Sequence, residues 1–138
     1  MNTRMRFQFP MLALLLAVIG CGGPLVKVTG KVTYKGEPVP STLVTFHPDE
    51  EGKRASNGIT DDGGKFILTH SRSETGALRG KHTVVLQYHI SADEETGKTK
   101  PKASKELKEV IGKHSNLKTS RLHYEVTSNG QVIEINLD

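Results

Sequence analysis

Alternating apolar and polar residues run through most of the chain from residue 26 onward. Residues 26–34 place their valines on one parity, which is typical of a strand with one buried face. The same alternation predicts strands over residues 42–46, 55–59, 66–70, 82–88, 122–126 and 133–137. Ser-Asn-Gly at residues 128–130 predicts a hairpin between the last two. Turn residues separate the other segments, so the pattern predicts an all-β fold, a seven-stranded antiparallel sandwich.

One segment departs from this alternation and predicts a short inserted helix near residues 103–112. Ala103, Leu107, Val110 and Ile111 fall at i, i+4, i+7 and i+8, the spacing of one helical face, and Gly112 is a typical C-terminal stop. Residues 92–102 before it are polar and predict an exposed loop. A helix of this length is marginal alone, so we expect its apolar face to pack on the sandwich.

The first twenty residues have the pattern of an export signal. Arg4 and Arg6 precede an apolar run over residues 10–19, which is shorter than the ~20 residues of a membrane-spanning helix. The run ends in Val18-Ile-Gly-Cys21, which resembles a bacterial lipobox, and Cys21 is the only cysteine. We therefore expect a signal peptide at 1–20, a lipidated Cys21 with a short tether at 21–25, and a domain at 26–138.

This resemblance also predicts where the chain resides. Two or three acyl chains such as palmitate on Cys21 give stable membrane attachment, and a tether of about five residues spans at most roughly 18 Å. The expected location is the cell envelope, and Gly22, which is not Asp, favours the outer membrane over the inner by proteobacterial sorting rules. The alternatives are an ordinary signal peptide with a chance cysteine and an uncleaved short anchor.

Length and charge narrow the classes of partner. The chain has 138 residues, enough for one domain, and a net charge of +4 to which Arg4 and Arg6 contribute. The processed chain is therefore nearer +2 and lacks the concentrated basic stripe of a nucleic-acid-binding protein. We expect contact with the membrane through the lipid anchor, and with an envelope protein or a glycan, but not with nucleic acid.

Several motifs in order resemble the carboxypeptidase regulatory-like (transthyretin-like) domain, as found in small bacterial lipoproteins. They are Gly30-Lys-Val-Thr-Tyr-Lys-Gly36-Glu-Pro-Val-Pro40, Gly58-Ile-Thr-Asp61-Asp-Gly63-Gly-Lys-Phe66, Gly76-Ala-Leu-Arg-Gly80-Lys81 and Lys113-His-Ser-Asn-Leu-Lys-Thr119-Ser-Arg-Leu122. The resemblance implies a prealbumin-like sandwich that serves as an accessory or surface module without enzymatic activity. His82 stands where that family usually has tyrosine.

Candidate metal sites are weak on the sequence. His47 and Glu50 match the H-x-x-E ligand pair of zinc carboxypeptidases, but on a strand end and loop without a third ligand. Tyr88-His89 and His123-Tyr124 suggest an iron site, yet neighbours on a strand point to opposite faces. Asp61-Asp-Gly-Gly64 suits a turn better than calcium. We predict no catalytic residue, no metal and no cofactor.

A lysine-rich segment follows the fifth predicted strand and carries the predicted partner-facing residues. These are Lys98, Lys100, Lys102, Lys105, Lys108 and Lys113. The segment would rest on acidic headgroups or an acidic partner; the alternative is a solvated face on which Lys105 pairs with Glu109. The expected function is a membrane-anchored, non-enzymatic binding or structural module. The alternatives are an accessory subunit of an envelope complex, a carbohydrate-binding module and an envelope enzyme.

Overall fold

A computed structural model describes residues 25–89 and 103–138, which form eight strands and one helix. Each strand overlaps a segment predicted from the alternation, apart from a two-residue strand beside the first turn. The elements in chain order are β1 (Val28–Tyr34), β2 (Glu37–Pro38), β3 (Thr42–Pro48), β4 (Ser56–Ile59), β5 (Lys65–Ile67), β6 (Gly80–Tyr88), α1 (Lys105–Lys113), β7 (Leu122–Val126) and β8 (Gln131–Asn136).

The strands form two four-stranded sheets, so the predicted all-β sandwich with one short helix is confirmed. In the first sheet, β1 pairs antiparallel with β2 and β5 and parallel with β8. The second sheet has the antiparallel order β4-β3-β6-β7. The prediction of purely antiparallel pairing is therefore wrong for one pair, β1 with β8.

The predicted hairpin between the last two strands is also wrong, because β7 and β8 lie in different sheets. The turn at residues 128–130 contacts the chain just before β1 instead. Asn129 Oδ1 accepts the backbone N–H of Lys27 at 2.8 Å, and the Gly130 N–H donates to the Lys27 carbonyl at 2.9 Å. These two bonds align β8 with β1, so the chain crosses between the sheets at this turn.

The core lies between the two sheets and is centred on the Phe46 ring. This ring contacts the rings of Phe66, His82 and Tyr124 with centroid distances of 6.2, 5.8 and 6.3 Å. Gly30 on β1 leaves room for Phe66, because a Cβ there would lie 2.4 Å from Phe66 Cζ. The absence of a side chain on β1 therefore lets the Phe66 ring of the neighbouring strand β5 lie over β1 in the core.

Helix α1 packs its apolar face on the sandwich. Ile111 is buried, and Leu107 and Val110 are partly buried against the core cluster. Ser104 caps the helix, since its side-chain oxygen accepts the Leu107 N–H at 3.2 Å. Within the described residues, no helix combines the length and the apolarity that crossing a membrane requires.

The sandwich has two distinct ends, which we name the tether end and the helix end. At the tether end, Val26 pairs with Ala77, and β1 begins. At the helix end, β1 finishes and the Lys35 ammonium lies 3.4 Å from the Glu106 carboxylate in the first turn of α1. The seven residues of β1 separate the two ends by about 20 Å.

Candidate binding surface

Large apolar side chains are exposed on one face of the sandwich. Ile59, Ile67 and Val132 are 48%, 60% and 65% exposed, and all three line one groove of about 680 Å³. We name this groove the outer groove. Apolar side chains that remain in water are costly when grouped, and such a patch is typical of an interaction site.

Strand register brings these three side chains together. Thr29 on β1 is paired with Ile67 on β5 and with Val132 on β8, so both apolar side chains share its outward face. Ile59 comes from β4 in the other sheet. Its neighbour Gly58 lies against the β5 backbone, where a Cβ would be 2.4 Å from the Ile67 carbonyl oxygen. The glycine thus allows β4 to approach β5 and close the groove.

Charged residues of both signs surround the apolar part of the outer groove. Lys31 is in register with Lys65 on one neighbouring strand and with Glu134 on the other, and Asp61 lines the same groove. The ion pairs between described residues lie elsewhere, at Lys35–Glu106 and Lys53–Glu50. Lys31, Lys65 and Glu134 are therefore available to a partner.

The Asp61 carboxylate stabilises the turn that it begins. Its Oδ1 atom accepts the backbone N–H groups of Gly63 and Lys65, both at 2.9 Å. Gly64 has a positive φ of 72°, which glycine adopts without strain. The turn therefore accounts for Asp61 and Gly64, two of the four residues that suggested a calcium site.

The histidines of β6 and β7 lie on opposite faces of the second sheet. His82 is buried in register with Tyr124, whereas His123 is exposed in register with Thr83. The Thr83 hydroxyl donates to Asp49 Oδ1 at 2.9 Å and lies 3.2 Å from His123 Nδ1. Since its one proton goes to Asp49, the hydroxyl accepts from His123 Nδ1–H.

These histidines and nearby carboxylates do not assemble a metal centre in the described part of the chain. His82, His123, Asp49 and Glu125 line a cavity of about 380 Å³, yet no group of three His, Cys, Asp or Glu side chains there could hold a metal ion. His89 lies beyond β6 at the helix end. The iron set at Tyr88-His89 and His123-Tyr124 therefore does not converge, and neither does a zinc set around His47.

The predicted site residues fall partly within the described chain. Cys21, Lys98, Lys100 and Lys102 lie outside the described residues. Lys105, Lys108 and Lys113 are exposed on α1, and the Lys108 ammonium is 5.8 Å from the Tyr88 ring centroid. None of the ion pairs between described residues joins Lys105 to Glu109. The lysines remain a predicted contact surface at the helix end.

Sequence reasoning missed the outer groove. Its apolar residues occupy the outward-facing positions of their strands, where polar residues are expected. Ile67 lies between the buried Phe66 and Leu68, and Val132 precedes the buried Ile133. An apolar residue on the outward parity was the available signal, but single exposed apolar residues are common. Only the pairing of β5 and β8 with β1 shows that they are neighbours.

Comparison with known proteins reveals a structural likeness at low sequence identity. No protein-family profile matches the chain, and no curated protein matches it. The crystal structure of a DUF3823 family protein from Parabacteroides merdae is similar over 82% of this chain and 45% of its own, with 13% sequence identity and a TM-score of 0.44. This chain thus spans less than half the length of that β-rich protein.

Proposed function

We propose that the chain is a lipid-anchored binding module of the bacterial cell envelope. It is held through Cys21, belongs to the carboxypeptidase regulatory-like class, and binds a protein partner in the outer groove without catalysing a reaction. The observation that carries this proposal is the cluster of three exposed aliphatic side chains, Ile59, Ile67 and Val132, in one groove.

The chemistry of the outer groove favours a protein over other partners. Protein interfaces combine an apolar centre with a polar rim, and here two lysines and two carboxylates surround the aliphatic residues. Nucleic acid and anionic headgroups would require an excess of positive charge, which this balanced rim lacks. A glycan platform would require an exposed aromatic ring, whereas Phe66, the aromatic residue of the groove, is buried.

The position of the tether supports the presentation of this groove. Cys21 precedes Leu25, the first described residue, by four residues, which span at most about 14 Å. An anchor there would hold the tether end against the membrane. The outer groove lies on the outward face of the sheet, along strands that lead away from that end. It would therefore open to the side, where an envelope protein has access.

The same geometry favours a partner over headgroups for Lys105 and Lys108, near the start of α1. The Lys35–Glu106 contact ties the first turn of α1 to the end of β1, about 20 Å along that strand from the tether end. Lys105 and Lys108 would face away from the anchoring membrane. We therefore assign Lys105 and Lys108, with Lys98, Lys100 and Lys102, to a second, acidic contact.

Site-specific photo-crosslinking in the living cell tests the groove. A photoreactive residue would replace Val132 in the groove, or Asn57, which is exposed on β4 outside it, as the matched control. We expect a discrete protein crosslink from position 132 alone. The crosslinked protein would then be purified and its affinity measured for the full chain and for Ile67→Lys.

The expected result is a loss of affinity of about tenfold or more on Ile67→Lys, because a charge would enter the apolar centre of the interface. Asn57→Lys should bind like the unchanged chain. Equal crosslinking from both positions, or unchanged affinity for Ile67→Lys, would contradict the proposed binding face.

A further inference from the structure

A second cavity, separate from the outer groove, forms where α1 ends and the chain turns toward β7. It has a volume of about 550 Å³ and is lined by Gly112, Lys113, His114, Thr119 and Arg121. His114 holds this turn in place, because its carbonyl accepts the Leu86 N–H at 2.9 Å and its Nδ1 accepts the Arg121 N–H at 3.4 Å. The cavity therefore has a fixed backbone frame.

Positive charge at this cavity is not neutralised by the residues around it. The segment 112–121 contains Lys113, Lys118 and Arg121 and no carboxylate, and neither ion pair between described residues involves them. Burial lowers the pKa of His114, and the charges of Lys113 and Arg121 lower this pKa further. Lys113 and Arg121 also line the same cavity as His114, so two cations border it.

We propose that this cavity binds an oxyanion of the phosphate class through Lys113, His114 and Arg121. Arginine presents a planar set of N–H donors that suits phosphate oxygens, and lysine adds a point charge. Because Nδ1 of the neutral His114 ring accepts a hydrogen bond, the ring carries its proton on Nε2, which is a donor for the same anion. The site is independent of the protein-binding function proposed for the outer groove.

The shared chemistry fits both a free phosphate and a phosphate in a lipid headgroup. Leu117 is half exposed on the same turn beside Lys118. An exposed apolar residue beside a lysine suits a lipid surface, whereas the open cavity also suits a soluble phosphate ester. These sources differ in whether binding requires a bilayer, so the experiment separates them.

NMR titration of His114 in the full chain tests the site with inorganic phosphate as the probe. We expect phosphate to shift the His114 ring resonances saturably and to raise its pKa, because a bound anion favours the imidazolium. Arg121→Gln and Lys113→Gln should each weaken phosphate binding by about tenfold, the loss expected for one charged hydrogen bond. Lys27→Gln, which removes an exposed cation just before β1, should bind phosphate unchanged.

The second arm uses vesicles of phosphatidylglycerol, with phosphatidylcholine vesicles as the neutral control. Binding of phosphatidylglycerol that depends on Arg121, without binding of free phosphate, would support the site and assign it to headgroups. Binding of free phosphate that depends on Arg121 would support it as a site for a soluble ester. The proposal is overturned if neither probe perturbs His114, or if both Gln variants bind as the unchanged chain does.

Discussion

The buried imidazole of His82 links folding to pH at the scale of a single residue. Its side chain is 1% exposed, its Nδ1 donates to the Gly80 carbonyl at 2.9 Å, and its Nε2 has no partner among the described residues. Burial lowers the pKa of His82, because a buried cation loses its hydration. The folded protein therefore holds His82 neutral.

We expect the free energy of unfolding to fall as the pH falls below about 6.5, the ordinary histidine value. A lowered pKa in the folded state means that the unfolded chain binds the proton first, so protonation favours unfolding. The replacement His82→Phe should reduce this slope, measured by urea denaturation between about pH 7.5 and about pH 5.

Part of the slope should remain in His82→Phe, because burial also lowers the pKa of His47 and His114. A variant that loses stability with acid as steeply as the unchanged chain would show that His82 protonates without opposing the fold. That result would contradict the assignment of a neutral, buried ring.

At the scale of the elements, the period-two pattern predicted every strand longer than two residues. The strand predicted at residues 122–126 has the bounds of β7, and the helix predicted at 103–112 is Lys105–Lys113. These elements follow from local periodicity, which is written in the sequence. The strand β2 was missed because two residues cannot show a period.

The pairing of the elements was less predictable. The partner of β8 is decided by Asn129 and Gly130, which bond to Lys27 about a hundred residues away along the chain. A local turn signal at residues 128–130 correctly marks a turn but does not show which strands it joins. Long-range bonds of this kind have no local pattern, so β8 was assigned to the wrong neighbour.

Two glycines in different elements provide a matched pair of stability predictions. Gly30→Ala on β1 should lower the free energy of unfolding by about 3 kcal/mol, because its Cβ would lie 2.2 Å from the Ile133 carbonyl oxygen and 2.4 Å from Phe66 Cζ. Gly112→Ala on α1 should raise it by about 0.5–1 kcal/mol, since nothing lies within 4 Å and alanine favours helix.

Urea denaturation of both variants measures these changes. Stability equal to the unchanged chain for Gly30→Ala would contradict the close packing of Phe66 beneath β1. The Gly112→Ala variant adds the same methyl group at a position with free space. A loss of stability in Gly30→Ala alone can therefore be attributed to the clash at Gly30.

At the scale of the whole molecule, the two ends of the sandwich predict its orientation on a membrane. A dye on Ser128→Cys at the tether end should transfer energy efficiently to an acceptor in the lipid headgroups. The same dye on Lys105→Cys at the helix end should transfer less, because about 20 Å separates the ends. Equal or reversed transfer would contradict the orientation and the outward position of the lysines.

The outer groove, like the pairing of the strands, could not be predicted from local sequence patterns. The lysines could be recognised as a group because they lie close together along the chain. Ile59, Ile67 and Val132, in contrast, are up to seventy-three residues apart. Two features of the fold make them one surface. Gly58 lets β4 lie close to β5, and Thr29 on β1 pairs with both Ile67 on β5 and Val132 on β8. A surface assembled from three strands carries no local motif.

The intact mass of the mature chain, purified from the envelope of its own organism, tests the central proposal of a lipid-anchored module most directly. We expect a chain that begins at Cys21 and carries the added mass of a diacylglyceryl group, and we expect Cys21→Ser to remain uncut and unlipidated. A chain that begins at another residue, or that begins at Cys21 without the lipid mass, would contradict the anchor and the presentation of the outer groove at a membrane surface.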